Sequence, residues 1–233
     1  MNFSIIFPTR ERTELLKKCL ESIDQNTEDT DRIEVLLAID DDDKRTDYGF
    51  LEDYSFVRAF RVRRSVNFSK DYYNFLASQS RGKWIICAND DCQFETSCWD
   101  SVAYNILKDR SNVIYGFIND GMDGFRVKHY GKYCSFPLQG REGYNVLGYI
   151  FPDRIPIWGS NLWVKALYEQ IGSVVELPIL VKHYTHRNKT RSIDHINEQI
   201  TRKYMFYKSD STEEEYEKLL NAFKKHTLTG NKI

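Results

Sequence analysis

Three short apolar runs in the first half of the chain each give way to a cluster of charged side chains. Phe3–Phe7 runs into Pro8-Thr9-Arg10-Glu11-Arg12, Glu34–Ile39 into Asp40-Asp41-Asp42-Asp43, and Trp84–Ala88 into Asn89-Asp90-Asp91. Carboxylates gathered in one place repel each other unless a cation or a hydrogen-bonding ligand stands among them. Aspartate oxygens are hard ligands suited to Mg2+ or Mn2+, which usually bind through one or two carboxylates plus substrate phosphates. A guanidinium at a strand terminus, such as Arg10 or Arg12, meets a diphosphate bidentately. Together these residues have the chemistry of a nucleoside-diphosphate site built around a divalent cation.

The elements that must position them follow from periodicity. Short apolar runs alternating with amphipathic stretches are the pattern of βαβ units, so the expectation is an α/β domain with a mostly parallel, helix-flanked sheet. Strands are predicted at Phe3–Phe7, Glu34–Ile39, Val57–Arg61, Trp84–Ala88, Val113–Ile118 and Leu177–Lys182. Leu15, Leu16, Cys19, Leu20 and Ile23 share one helical face, as do Trp99, Val102, Ala103, Ile106 and Leu107. Further helices are predicted over Ser69–Gln79, over Leu162–Ile171 with Gly172 as its C-cap, and at the C-terminus after the capping-box sequence Ser211-Thr212-Glu213-Glu214. In open parallel sheets ligands sit outside the carboxyl ends of the strands, which brings the three clusters to one edge. The Gly- and Tyr-rich stretch from Asn119 to Ile157 has no clear period and suits an acceptor-binding region.

At 233 residues the chain suits one domain. Its 33 basic and 34 acidic side chains nearly cancel, so no global field would draw in nucleic acid or an anionic membrane. Five cysteines at irregular positions (Cys19, Cys87, Cys92, Cys98 and Cys134) form no disulfide framework and fit a reducing compartment. The opening residues carry no basic leader, and no apolar run approaches the ~20 residues of a membrane span, so a cytoplasmic protein is expected.

The stretch from Phe7 to Leu16, followed by Cys19-Leu20-Glu21-Ser22-Ile23, resembles the opening of family-two glycosyltransferases of the GT-A fold. That resemblance implies donor contacts from Pro8, Thr9, Arg10 and Arg12. It places Asp40 where the family holds the nucleoside, and Asn74 in the family's small-residue-and-Asn segment. Trp84–Asp91, with Trp99 beyond it, resembles the strand that ends in the metal-binding DxD motif. Here the motif reads Asn-Asp-Asp, which leans the metal on Asp91 and leaves Asn89 and Asp90 on the donor side. Gly159-Ser160-Asn161-Leu162 through Gly172 resembles the segment closing over the acceptor. His183, just past a late strand, is the second metal candidate, with His186 behind it. The implied cofactor is Mn2+ or Mg2+ and the implied partner a nucleotide-sugar donor, expected to be a UDP-sugar. The acceptor is open among a glycan, a lipid carrier, a protein and a modified nucleic-acid base. On this reading residues 1–118 form the donor half, 119–207 the acceptor half and 208–233 a C-terminal helix.

An inverting transferase also needs a carboxylate to take the acceptor proton. The family's Glu-Asp motif is absent, which leaves Asp194, Asp153 and Glu142 as candidates. Each assignment has a plainer alternative. Asp41, Asp42 and Asp43 read as a solvated turn, and Asp91 could cap a helix, although Thr96 or Ser97 is placed to cap the one that follows. His183 could lie on the surface, and Asp194 could cap a helix. A catalytically degenerate binder of nucleotide-sugar or glycan is the alternative function, with a nucleotidyltransferase behind it. No G-x-G-x-x-G follows a strand, and neither a P-loop nor zinc-ligand spacing occurs, which removes the basis for dehydrogenase, P-loop and structural-zinc readings.

Overall fold

The computed structural model describes residues 1–120, 135–156, 159–183 and 213–230, with side chains as far as residue 225 in the last of these. Eight strands form one sheet in the order β3-β2-β1-β4-β7-β6-β8-β5. They are β1 (Phe3–Thr9), β2 (Ile33–Asp40), β3 (Val57–Val62), β4 (Trp84–Cys87), β5 (Cys92–Phe94), β6 (Tyr115–Asn119), β7 (Leu138–Gly140) and β8 (Val174–His183). The first four are parallel to one another. Antiparallel β7 then joins β4 to β6, β6 runs parallel to β8, and β5 is antiparallel to β8. The sheet is therefore mixed, and four of its seven pairings are parallel.

The core shows why these runs became strands. Every residue of β2 is buried, as expected of a strand covered on both faces. Side chains alternate between two layers: Phe3, Ile5 and Phe7 of β1 join one apolar cluster with Val35, Leu37 and Ile39, while Ile6, Leu36 and Ala38 join the other. Helices α1 (Thr13–Asn26) and α3 (Trp99–Leu107) cover the first face through Leu16, Cys19, Leu20, Ile23, Trp99 and Ala103. The second face is covered by α2 (Phe75–Gln79), α4 (Arg141–Leu147), α5 (Ser160–Gln170) and α6 (Glu213–Gly230), with Leu76, Trp163, Leu167 and Leu219 in its core. Burying side chains of this size contributes about 1.5–3 kcal/mol each.

Several local expectations shift. The turn Ser69–Asn74 ahead of α2 is a π-helix rather than an α-helix. Gly172 follows α5 at φ 68°, the left-handed conformation that a C-capping glycine adopts without steric cost. Helix α3 is capped by neither Thr96 nor Ser97: its N-cap is Cys98, and the Thr96 hydroxyl accepts the Leu180 amide instead. Two elements, β7 and α4, lie inside the stretch that looked aperiodic, while residues 121–134 of that stretch fall outside the described residues. Cys19, Cys87, Cys92 and Cys98 carry thiols and are not joined in disulfides.

Candidate active site

The site begins at β1. Parallel register sets Thr9 beside Ile39, one residue before the end of β2, and pairs Ile6 with Cys87, so β4 leads into Asn89-Asp90-Asp91 alongside the end of β1. Thr9 Oγ1 donates to Asp90 Oδ2 at 2.9 Å, and the Arg12 guanidinium donates to Asp90 Oδ1 at 2.9 Å. Burial pushes the Asp90 carboxyl up to about 6, although the adjacent Arg12 charge pulls the other way. Arg12 also stands 3.7 Å from Asp91 Oδ2, so one guanidinium serves two carboxylates.

At the end of β2 the acidic run divides. Asp40 is buried and accepts from the Tyr72 hydroxyl at 2.5 Å and from Arg10 at 3.2 Å, with Arg64 at 3.9 Å. Asp42 pairs with Arg10 and is approached by Arg64. Asp43, read from the sequence as solvated, is only 1% exposed. Burial alone would raise its carboxyl. Hydrogen bonds from Tyr48, Thr46 and the Glu11 amide outweigh that and hold it at about 2. Glu11 donates that amide from a left-handed conformation, φ 52°, so Asp43 fixes the loop that carries Arg10 and Arg12.

The second half of the chain enters through β8. Antiparallel pairing aligns Cys92 with His183, which sets His183 beside Asp91 across 92 residues of sequence. His183 Nε2 is 3.1 Å from Asp91 Oδ1 and 3.2 Å from Asn89 Nδ2. One ring nitrogen cannot donate to the carboxylate and accept from the amide at once. Protonated, Nε2 donates to Asp91; in the other tautomer its single lone pair accepts from Asn89, and a cation held together with Asp91 would take that lone pair in place of the Asn89 amide. In octahedral coordination with bonds of about 2.1 Å, neighbouring ligand atoms lie about 3.0 Å apart, close to the spacing seen here. Phe136 packs edge-on against the imidazole at 5.1 Å, and Tyr73 fixes Asn89 through a hydrogen bond of 3.1 Å. Among the described residues no three His, Cys, Asp or Glu side chains form a ready metal cage. A cation at Asp91 and His183 would therefore complete its shell with water and phosphate oxygens, as Mg2+ and Mn2+ commonly do.

The structure brings Thr9, Arg10, Arg12, Asp40, Asn89, Asp90, Asp91 and His183 to the strand-end edge, where Pro8 is part of β1 itself. It treats Asn74 differently. The Asn74 amide donates to Phe151 O and Asp153 Oδ1 and accepts from the Ile150 and Phe151 amides. All four of its side-chain hydrogen-bonding positions are thereby filled within the chain. Asp153 belongs to that same contact, with its carbonyl accepting from Asn67. Glu142 lies in the first turn of α4. Asp194 and His186 lie outside the described residues. The sequence reading missed Tyr72, Tyr73, Arg64 and Asp43. Only Asp43 had a local signal, Thr46 and Tyr48 close behind it; the others are joined to the site by packing.

Comparison with known proteins follows the same outline. The family model described as glycosyl transferase family 2 matches residues 4–159. Among solved structures, residues 1–349 of TarS from S. aureus superpose with a TM-score of 0.61 at 12% identity, covering 98% of this chain and 72% of that one. The same protein has been solved in complex with UDP and with UDP-GlcNAc. The mannosyltransferase PcManGT from Pyrobaculum calidifontis, in complex with GDP-Man and Mn2+, superposes with a TM-score of 0.64 at 12% identity, covering 98% of this chain and 70% of that one. At such identities the likeness is one of fold. None of the curated proteins compared by sequence matches the chain significantly. No helix among the described residues is long and apolar enough to cross a membrane.

Proposed function

The chain belongs to glycosyl transferase family 2 and is a glycosyltransferase, and from that premise we propose that it draws its sugar from a UDP-sugar held through Mn2+ or Mg2+ at Asp91 and His183. The observation that carries this reading is the 3.1 Å approach of Asp91 Oδ1 to His183 Nε2 at the carboxyl ends of the strands. A cation bound there would neutralise the diphosphate and stabilise the charge that grows on it as the sugar leaves.

The chain's own residues divide the remaining work. Asp40, oriented by Tyr72 and Arg10, is assigned the nucleoside. Thr9 and Arg12 fix Asp90, which sets the direction of Asp91 next to it. Asn89, held by Tyr73, stands 3.2 Å from His183 Nε2 and would yield that nitrogen to the cation. Residues 1–118 are assigned the donor half, 119–207 the acceptor half and 208–233 the C-terminal helix. Asp194 and Asp153 are the carboxylates proposed to take the acceptor proton. The UDP, UDP-GlcNAc and GDP-Man complexes of the solved relatives, one of them with Mn2+, support a nucleotide-sugar and a divalent metal here.

Calorimetric titration of UDP with Mn2+ and then with chelator tests the reading. Manganese should tighten UDP at least about tenfold, since the diphosphate is held largely through the cation. Equal affinity in the two conditions would sink the metal assignment.

A further inference from the structure

Arg12 occupies an unusual electrostatic position. Its guanidinium is 2.9 Å from Asp90 Oδ1 and 3.7 Å from Asp91 Oδ2, and among the described residues it is the arginine or lysine paired with the carboxylate proposed to bind metal. Arg10, two residues earlier, is committed to Asp40, Asp42 and Glu11. Arg12 sits at the N-cap position of α1 in a non-helical conformation and makes no capping bond, so its side chain has no structural duty to the helix. Its side chain is 21% exposed, against 7% for Asp90 and 13% for Asp91, so it is the most solvent-accessible of the three. A divalent cation arriving at Asp91 would meet a positive charge within about 4 Å of its ligand. That repulsion weakens as soon as a diphosphate offers the guanidinium a better, bidentate partner.

We propose that Arg12 is the resident counter-cation of this site: it offsets part of the charge of Asp90 and Asp91 before the metal arrives, and passes to the diphosphate when metal and nucleotide bind. The inference rests on the metal reading given above and adds to it a coupling. Metal alone is held weakly, nucleotide alone is held weakly, and each strengthens the other because both release Arg12 from the carboxylates. Arg12 is thus a positioning residue whose removal moves the two affinities in opposite directions. A merely structural arginine would weaken both together.

The experiment titrates Mn2+ into the full chain without nucleotide at pH 8, then UDP or GDP, whichever wild type binds more tightly, at saturating Mn2+. Wild type is compared with Arg12→Gln and Arg12→Lys. In the glutamine variant Mn2+ alone should bind about fivefold tighter and the nucleotide about tenfold weaker. Lysine keeps the charge without the fork, so Mn2+ affinity should stay within about threefold of wild type while the nucleotide weakens. Mn2+ bound no more tightly by Arg12→Gln than by wild type overturns the proposal. Should that variant unfold on heating well below wild type, Arg12→Lys decides: a loss of Mn2+ affinity of about tenfold would show a structural role and also overturn it. If wild type itself binds no Mn2+, with or without nucleotide, the metal reading has failed and this inference with it. Mn2+ binding in wild type without the opposed shifts defeats the inference alone.

Discussion

The two acidic strand ends of this protein look alike in sequence and are built on opposite plans. At the end of β2, Asp40 and Asp42 are each met by both Arg10 and Arg64, and Arg10 also pairs with Glu11. At the end of β4, Asp90 and Asp91 share the single guanidinium of Arg12, and Asp91 also faces His183 Nε2. A cluster closed on its own arginines has little to offer a cation. It can still present residual hydrogen-bonding positions to a neutral group such as a nucleoside. A cluster short of positive charge holds a cation at the least cost. Placing two such ends side by side gives one site two different affinities.

The contrast can be broken most sharply at Asp91. Asp91→Ala should lower sugar transfer by about a hundredfold to a thousandfold, the scale of removing one preorganised electrostatic partner, and abolish the response to Mn2+. Donor turnover across a Mn2+ titration measures both. Retained metal dependence would mean that the deficit of charge at β4 is not where the cation binds.

Asp40→Ala should act on the other end alone. Uridine nucleotides should weaken about tenfold, with or without a sugar attached, while their dependence on Mn2+ persists. Leaving the Tyr72 hydroxyl without its acceptor, while Arg10 keeps Asp42 and Glu11, should also cost about 1–3 kcal/mol of stability. Calorimetry with UDP and a thermal melt separate these effects, and an altered Mn2+ requirement would show that the two ends are not independent.

The smallest effect is expected at Asp43, inside the same run but with no role in binding. Its carboxyl sits at about 2 in the folded protein against an ordinary 3.8, held there by Tyr48, Thr46 and the Glu11 amide. A depressed carboxyl contributes stability that is complete above its unfolded value and is lost as pH falls through its folded one. Asp43→Asn should therefore cost about 2 kcal/mol at neutral pH, and the difference from wild type should shrink as pH drops from about 4 towards 2. Urea unfolding of both proteins across that range checks it. A difference independent of pH would place Asp43 back among solvated aspartates.

Much of this architecture can be read from single segments. The apolar stripe of α1 and the buried run of β2 announce themselves through local periodicity, and the charged residues after β1, β2 and β4 follow directly from where those strands stop. What could not be read is what each aspartate meets. Asp41 and Asp43 are identical in type and two positions apart, yet one is exposed and the other nearly inaccessible. The difference arises because Glu11 and Tyr48 close over Asp43. Asn74 shows the same limit: its place in the chain suggested a donor contact, and packing turned it into a clamp on residues 150–153. Strands β5 and β7, three residues each, are too short to carry any period.

The sequence by itself determined the class of fold, the edge at which a ligand would bind, and the residue types available there. These depend on short-range rules: the alternation of side chains along a strand, the hydrophobic face of a helix, and the turn chemistry between them. The tertiary structure alone decided that Asp91 stands beside His183, that Arg10 closes on Asp40 while Arg12 bridges Asp90 and Asp91, and that Asp43 is structural. Those pairings join residues as far as 92 positions apart through the antiparallel register of β5 on β8. That register is selected by the burial of Phe94 and Val181 in a shared core, and no window of sequence contains both strands.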